Sequence, residues 1–199
     1  MKQLFLVIFI LFGSVAKAQF FEKNAIYLSN SGLIGNYFGL SSSLSFIHKE
    51  NFMVEVGVMG LAKRAMDQPA DYSGGLLSAF TLGIAPRNFV ISYQLLFGKS
   101  INLTPKGDQR INLKAGPTWS STRRPHNWQR VSGLGLIAGN YSYEYLDGSG
   151  LGLIIRPTFE MPFTQLYGIG LGTYFHFHRH SVNLGIELSV IMGSLRKKR

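Results

Sequence analysis

Apolar and small polar residues alternate with a period of two along most of this chain. Between Phe38 and Phe46 the odd-numbered positions hold Gly or Ser, and from Val182 to Met192 six apolar residues occupy alternate positions. Successive side chains of a β-strand point to opposite faces of a sheet, so this period predicts strands with one apolar and one small, polar face. The chain is therefore predicted to be all-β.

The alternating segments predict eight strands, at residues 38–47, 52–62, 89–98, 111–119, 133–145, 151–160, 167–175 and 182–192. Short turns at Lys49 to Asn51 and at Pro105 to Asp108 join neighbouring strands into hairpins. Two weaker candidates, residues 24–34 and 75–85, would raise the number to ten. Residues 38–47 are taken as the first strand, which a closed barrel would pair with the last.

The composition of the polar face decides which side of the sheet meets water. In a soluble barrel that face is outside and is rich in charged residues. Here it holds mainly Gly, Ser, Asn and Thr, and only 15% of the chain is charged, against about 25% in an average globular domain. A small polar face suits the crowded interior of a narrow barrel whose apolar face meets lipid. Since open sheet edges are excluded from lipid, we predict a closed antiparallel transmembrane β-barrel of eight strands, or ten. A soluble exported ligand-binding barrel is the alternative.

Aromatic residues gather where the predicted strands end. They include Phe159, Phe163 and Tyr167 around one turn, and Tyr141, Tyr143, Tyr145, Phe175 and Phe177 before others. Aromatic residues are enriched where a membrane meets water. The pattern therefore predicts interfacial girdles around the barrel.

The start of the chain is predicted to be a signal peptide. Lys2 precedes an apolar run at residues 4–12, and Ala16-Lys17-Ala18 forms a small-x-small cleavage site, so residues 1–18 would be removed. Residues 19–199 then form a single barrel domain with a basic tail, Arg196 to Arg199. An exported chain with its positive charge in a tail lacks the basic face that nucleic acid requires. The absence of Cys excludes disulfides and thiolate metal sites, and no cofactor is predicted.

Several segments resemble an uncharacterised family of small exported outer-membrane β-barrel proteins of Bacteroidota-type bacteria. The similar segments are Ile154 to Thr164, Tyr167-Gly168, Gly193 to Arg199, Asn127-Trp128 and Asn140 to Tyr143. The resemblance runs from about Gly35 to the C-terminus, implies a place in the bacterial outer membrane and supplies no catalytic residue. The last strand of outer-membrane proteins usually ends in an aromatic residue, whereas this chain ends in Leu195 and the basic tail.

Three histidines alternate near the C-terminus and raise two chemical hypotheses. His176, His178 and His180 share one strand face, where imidazoles could hold Zn or Cu, but no carboxylate is near in sequence, so a polar strand end is favoured over a metal site. His180-Ser181 suggests a lipid hydrolase similar to lipid A deacylases. Adjacent strand residues face opposite sides, so no catalytic or metal residue is predicted and the lipid hydrolase is kept as an alternative.

Four charged residues fall on the small polar face: Glu55, Lys114, Arg156 and Glu187. Two acids and two bases sum to zero. For a barrel of eight strands they predict a polar network that fills the lumen rather than a selectivity ring in a pore.

The loops supply the candidate ligand contacts. Residues 63–74 and 121–130 are predicted to be long polar loops, and the second holds Arg123, Arg124, Trp128 and Arg130. Arginine binds phosphate with two hydrogen bonds, and such a loop can contact lipopolysaccharide or a glycan. The sequence thus predicts a non-enzymatic envelope protein. Its expected partners are outer-membrane lipid or lipopolysaccharide and the outer-membrane assembly machinery, and a monomer is expected.

Overall fold

The chain forms a closed antiparallel barrel of eight strands in a computed structural model, which describes residues 24–75, 86–105, 107–131, 139–179 and 181–195. In order around the ring the strands are β1 (Ala25–Gly35), β2 (Phe38–His48), β3 (Phe52–Arg64), β4 (Arg87–Asn102), β5 (Arg110–Arg130), β6 (Tyr141–Pro162), β7 (Tyr167–His178) and β8 (Ser181–Ser194). β8 pairs with β1, which closes the ring and leaves no open sheet edge. The predicted closed barrel of eight strands is confirmed.

The eight strands are not the eight that the sequence predicts. Residues 24–34, the weaker candidate, hold β1, which takes the place of residues 38–47 as the first strand and as the partner of β8. The predicted strands 133–145 and 151–160 belong in part to one strand, β6, and residues 133–138 lie outside the described residues. The candidate strand 75–85 lies outside them except for Gly75. The signal peptide and the basic tail also fall outside.

The two ends of the barrel differ in the length of their connections. At one end, here called the terminal end, β1 begins, β8 ends, and residues 49–51, 103–109 and 163–166 form short turns. The opposite end, the loop end, carries the connections 36–37, 65–86, 131–140 and 179–180. β5 and β6 continue beyond the other strands here: β4 stops pairing with β5 at Arg123, whereas β5 and β6 pair on to Arg130 and Tyr141.

The barrel is polar inside and apolar outside. Among the described residues, 15 apolar and 23 polar or charged side chains are buried, which reverses the composition of a soluble core. Apolar side chains cover the outer face; Leu40 and Leu151, for example, are 73% and 71% exposed. Outward aromatic residues lie near both ends, with Phe38 at the loop end and Phe163 at the terminal end. No helix in the described part of the chain has the length and apolar character to cross a membrane.

Candidate functional site

Four charged side chains meet in the lumen, midway along the barrel. Lys114 Nζ lies 2.5 Å from Glu55 Oε2, Arg156 Nη1 lies 3.4 Å from Glu55 Oε1, and Arg156 Nη2 pairs with Glu187. All four side chains are buried, and Ser45 Oγ donates a further hydrogen bond of 2.9 Å to Glu55. The structure thus brings together the four residues that the sequence places on the inner face. Since their charges cancel, the cluster is neutral inside a confined space.

The network reaches across the lumen as well as along its wall. Arg156 Nη1 lies 3.4 Å from Ser41 Oγ, which is on β2, and in a ring of eight strands β2 lies opposite β6. Lys114 and Arg156 are direct cross-strand partners on β5 and β6, so the two bases extend from one side of the wall toward Glu55 on β3. These side chains occupy the cross-section of the barrel.

A glycine on β7 gives Glu187 the room to reach Arg156. A Cβ at Gly172 would lie 2.6 Å from Thr158 Cγ2 and 3.0 Å from Glu187 Oε1. The 2.6 Å distance is shorter than real Cβ contacts and the 3.0 Å distance is tight, so a larger residue would crowd both Thr158 and the carboxylate. The small residues of the inner face therefore provide space for the ion pairs.

A second ion pair lies nearer the terminal end and is missing from the predicted network. Arg110 Nη2 lies 2.6 Å from Glu160 Oε2, and the Tyr27 hydroxyl donates to Glu160 Oε1 at 3.0 Å. Asn112 Nδ2 donates to the Tyr27 hydroxyl at 3.4 Å, which links β5 with β1 on the opposite side of the ring. Arg110 and Glu160 lie on the same inner face of β5 and β6 as Lys114 and Arg156. The alternation of the sequence could therefore have predicted this pair. Tyr27 is harder to find because β1 alternates poorly.

His176 lies fully buried within a layer of polar side chains. Its Nε2 lies 3.0 Å from Thr118 Oγ1 and 3.2 Å from Ser120 Oγ, and its Nδ1 lies 3.2 Å from Asn183 Nδ2. The ring also packs on His178 with 5.0 Å between centroids. No group of three or more His, Asp or Glu in the described part of the chain is arranged to hold a metal ion. His180 is outside that part.

Within the described residues, Ser181 contacts His178, whereas the hydrolase hypothesis names His180. Ser181 Oγ and His178 Nε2 are 2.7 Å apart, whereas that hypothesis concerns His180, which is not described. Ser181 also donates to Asn183 Oδ1 at 3.1 Å. His178 and Ser181 are cross-strand partners at the loop end of the lumen. A serine nucleophile must donate its hydroxyl proton to the imidazole, which the 2.7 Å distance allows only when Ser181 does not donate to Asn183.

The predicted ligand-contact loop, residues 121–130, is part of a strand. Arg123, Arg124, Trp128 and Arg130 all lie on β5, because β6 continues beside it and satisfies its backbone. Arg123 Nε lies 3.5 Å from Asp147 Oδ1, and Arg130 Nη2 lies 3.7 Å from Asp71 Oδ2. Two of the three predicted arginines therefore have acidic partners within the chain. Arg124 is exposed.

Aromatic rings stiffen the part of β5 and β6 that projects beyond the barrel, residues 124–130 and 141–146, here called the β5–β6 extension. Trp128 packs on Tyr143 at 5.0 Å and on Tyr72 at 5.5 Å between ring centroids, and Tyr143 packs edge-on against Tyr145 at 5.4 Å. Burial, followed by a hydrogen bond with Tyr145, raises the pKa of Tyr143 to about 12. Two of the tyrosines that the sequence assigns to an interfacial girdle, Tyr143 and Tyr145, thus belong to this cluster.

A bulge interrupts the ladder within the extension. The register between β5 and β6 shifts between His126 and Gln129, and Asn127 adopts a φ of 55° there. Asn tolerates the left-handed region better than most residues do. Such a bulge bends and twists the bulged strand. Next to it, Trp128 lies against Tyr72 of the 65–86 connection.

The comparisons with known proteins give solved structures but no sequence relatives. No protein-family model matches the chain, and no curated protein matches it in sequence. The crystal structure of Ail, the attachment invasion locus protein of Yersinia pestis, is similar with a TM-score of 0.48 and 8% identity, over 85% of this chain and 96% of that one. The same protein in complex with the heparin analogue sucrose octasulfate gives a TM-score of 0.47 and 7% identity, with the same coverage. The crystal structure of Neisserial surface protein A is similar with a TM-score of 0.41 and 11% identity, over 86% of this chain and 95% of that one. The fold assignment rests on the strand pairing of this chain itself.

Proposed function

We propose that this chain is a small, non-enzymatic protein of a bacterial outer membrane, whose barrel anchors the β5–β6 extension at the cell surface. The observation that carries this proposal is the reversed side-chain distribution of a closed ring, with apolar residues outside and ion pairs inside. An apolar outer surface of this extent is costly in water and favourable in lipid. A soluble exported barrel would need a charged outer face.

The orientation follows from the connections. Outer-membrane barrels have short periplasmic turns and longer extracellular loops. The loop end carries the two longest connections, 65–86 and 131–140, beside two of two residues, so it would face outward and the terminal end would face the periplasm. The projecting β5–β6 extension therefore stands at the outer surface, in reach of lipopolysaccharide or a glycan.

The packed lumen argues for an anchor rather than a conduit. Arg156 reaches Ser41 and Asn112 reaches Tyr27, and both contacts join opposite strands of the ring. The cross-section of an eight-stranded barrel is just wide enough for side chains to fill. We accordingly propose a structural or ligand-binding envelope protein, monomeric in the membrane and inserted by the outer-membrane assembly machinery.

A lipid hydrolase is the second candidate, and the 2.7 Å contact between Ser181 and His178 favours it. A deletion strain tests it when complemented with the wild-type chain or with Ser181→Ala. The hydrolase predicts that wild type changes the acyl composition of lipid A and that Ser181→Ala does not. The non-enzymatic proposal predicts the same acyl composition in both strains.

Cell fractionation tests the proposal itself. The chain is expected in the outer-membrane fraction, and on a gel it should migrate faster unboiled than boiled because a closed barrel resists detergent. Release of the chain into the soluble periplasmic fraction by osmotic shock would refute the proposal.

A further inference from the structure

A cavity of about 590 Å³ opens at the rim of the loop end, beside the end of β3 and the start of β4. Its lining includes Asn36, Tyr37, Lys63, Arg64, Tyr72 and Arg87. Three of these side chains are cationic, and none of the described residues that line the cavity carries a carboxylate. It is therefore a concave site with positive charge on its wall.

The three cations of this rim cavity have no acidic partner. Within the described ranges, neither Lys63 nor Arg64 nor Arg87 forms a salt bridge. Their contacts are neutral instead: Arg64 Nε donates to Gln68 Oε1 at 2.8 Å, Lys63 lies 5.7 Å from the Tyr37 ring centroid, and Arg87 lies 4.8 Å from that of Phe38. The neighbouring residues 76–85, which the structure does not describe, contain no Asp or Glu.

The strand register forces two of these charges together. Arg64 and Arg87 are direct cross-strand partners on β3 and β4, with Lys63 adjacent in sequence. Like charges directly opposite each other destabilise a sheet. A bound anion would turn this repulsion into charge-assisted hydrogen bonds, and guanidinium groups suit phosphate in particular.

The position of the rim cavity indicates what kind of anion it meets. Phe38 and Ala62, the last outward residues of the apolar surface on β2 and β3, also line it. The cavity thus begins where the apolar outer surface ends. In the orientation of the proposed function, on which this step rests, that level is the headgroup region of the outer leaflet. The half-buried Tyr72 adds ring surface, against which a sugar can pack.

We infer that the rim cavity binds a phosphorylated sugar, with its phosphate held by Arg64 and Arg87, which share one face of the sheet. Lys63 lies on the wall of the same cavity and adds positive charge. The sugar phosphate can be lipid-borne, as in lipid A, or free. Both sources present the same phosphate ester, so they are separated by experiment. Arg123, Arg124 and Arg130 of β5 are not part of this site, and Arg123 and Arg130 already have acidic partners.

Calorimetry on the full folded chain in uncharged detergent micelles tests the inference. The probes are glucosamine 6-phosphate, unphosphorylated glucosamine, and lipid A added to the micelles. The double variant Arg64→Gln, Arg87→Gln is compared with Lys49→Gln, Lys99→Gln, which removes the same charge from exposed positions at the terminal end. Faster migration of unboiled samples verifies that each variant is folded.

Wild type should bind at least one phosphorylated probe and not glucosamine. The arginine variant should bind that probe about tenfold or more weakly, and the lysine variant within about twofold of wild type. Binding of lipid A alone identifies a membrane headgroup as the ligand, and binding of glucosamine 6-phosphate as well admits free glycans. No binding of either phosphorylated probe by wild type, or equal weakening in both variants, would overturn the inference. Because micelles replace the cell, this result is independent of where the chain fractionates.

Discussion

Among single residues, Arg156 has contacts that span the barrel. Its guanidinium pairs with Glu55 on β3 and Glu187 on β8, and it lies within hydrogen-bond distance of Ser41 on β2. Removing one member of a buried ion pair leaves the opposite charge without compensation and typically costs about 3–5 kcal/mol, whereas an exposed pair contributes about 1 kcal/mol or less.

Arg156→Ala should therefore lower the free energy of unfolding by about 3–5 kcal/mol. Urea unfolding in detergent micelles measures this loss. Glu50→Ala is the matched control, because Glu50 is exposed in a turn and accepts only one hydrogen bond, of 3.2 Å, from Asn102. Equal urea midpoints for the two variants would mean that Arg156 is not a buried partner. Adding Glu187→Gln to Arg156→Ala should recover part of the loss, since it neutralises one unpaired carboxylate.

Tyr143 should titrate separately from exposed tyrosines. Its pKa of about 12 lies above the ordinary 10.0, so between these values the folded extension keeps a proton that the unfolded chain loses. The contribution of Tyr143 to stability is then complete below pH 10 and is lost as the pH rises through 12. The difference in absorbance at about 295 nm between wild type and Tyr143→Phe should titrate near 12. A midpoint near 10 would show an exposed ring.

At the scale of elements, the β5–β6 extension depends on its rings because no third strand flanks it in the described part of the chain. Two-stranded hairpins are marginally stable alone. Trp128 contacts Tyr143 within the extension and Tyr72 in the 65–86 connection, so one ring holds two segments in place.

Trp128→Ala should open the extension to protease. Two aromatic contacts of about 0.5–1.5 kcal/mol each amount to about 1–3 kcal/mol, which raises the open population roughly 5- to 150-fold. Trypsin should then cleave after Arg130 faster by a similar factor, as followed by mass spectrometry; the Arg124–Pro125 bond is not a trypsin site. Trp119→Ala is the control, because Trp119 lies on the outer face of the same strand, away from the cluster. Equal cleavage rates in the two variants would contradict this role for Trp128.

The strands that the sequence predicts well are those whose two faces differ in polarity. β8 has apolar residues on its outer face and mainly small or polar ones inside, so its period is clear. β1 mixes both classes on both faces: Tyr27 and Leu33 point inward with Ser29 and Ser31, whereas Asn30 points outward. Residues 147–150, Asp-Gly-Ser-Gly, have the composition of a turn, yet they pair with β5 over their whole length. Local composition cannot reveal a partner strand 26 residues away, such as the one that pairs Thr122 with Gly148.

Of the two candidate sites, the lumenal ion-pair network can be predicted from the sequence and the rim cavity cannot. The alternation of the sequence places Glu55, Lys114, Arg156 and Glu187 on the inner face. Closure of the barrel then brings their side chains into contact. The rim cavity depends on which strand ends are neighbours and on the path of the 65–86 connection. For this reason the sequence suggests the arginines of residues 121–130, whereas the cations that line the rim cavity are Lys63, Arg64 and Arg87.

At the scale of the whole molecule, the filled cross-section predicts an absence of ion conduction. The wild-type chain, reconstituted in planar lipid bilayers, should give no stepwise current because side chains from opposite walls meet in the lumen. The heat-dependent gel shift of the same preparation verifies that the inserted chain is folded. Steady single-channel steps from folded protein would contradict the packed lumen.

The pairing of β8 with β1 closes the ring, and β8 also carries one carboxylate of the lumenal ion pairs. The order in which the strands assemble therefore affects the charge balance of the lumen. Glu187 lies on β8, the last of the eight strands in sequence, and its carboxylate pairs with Arg156 on β6. Until β8 pairs with β7, the guanidinium lacks one of its two carboxylates, and the carbonyl oxygen of Leu195, which accepts from Arg110 at 3.0 Å, is in place only when the ring is complete. In the membrane setting proposed above, an unbalanced cation is costly. A sheet without β8 would then be penalised twice, by its open edges and by its unpaired central charge, so the last strand supplies both the closure and the missing charge.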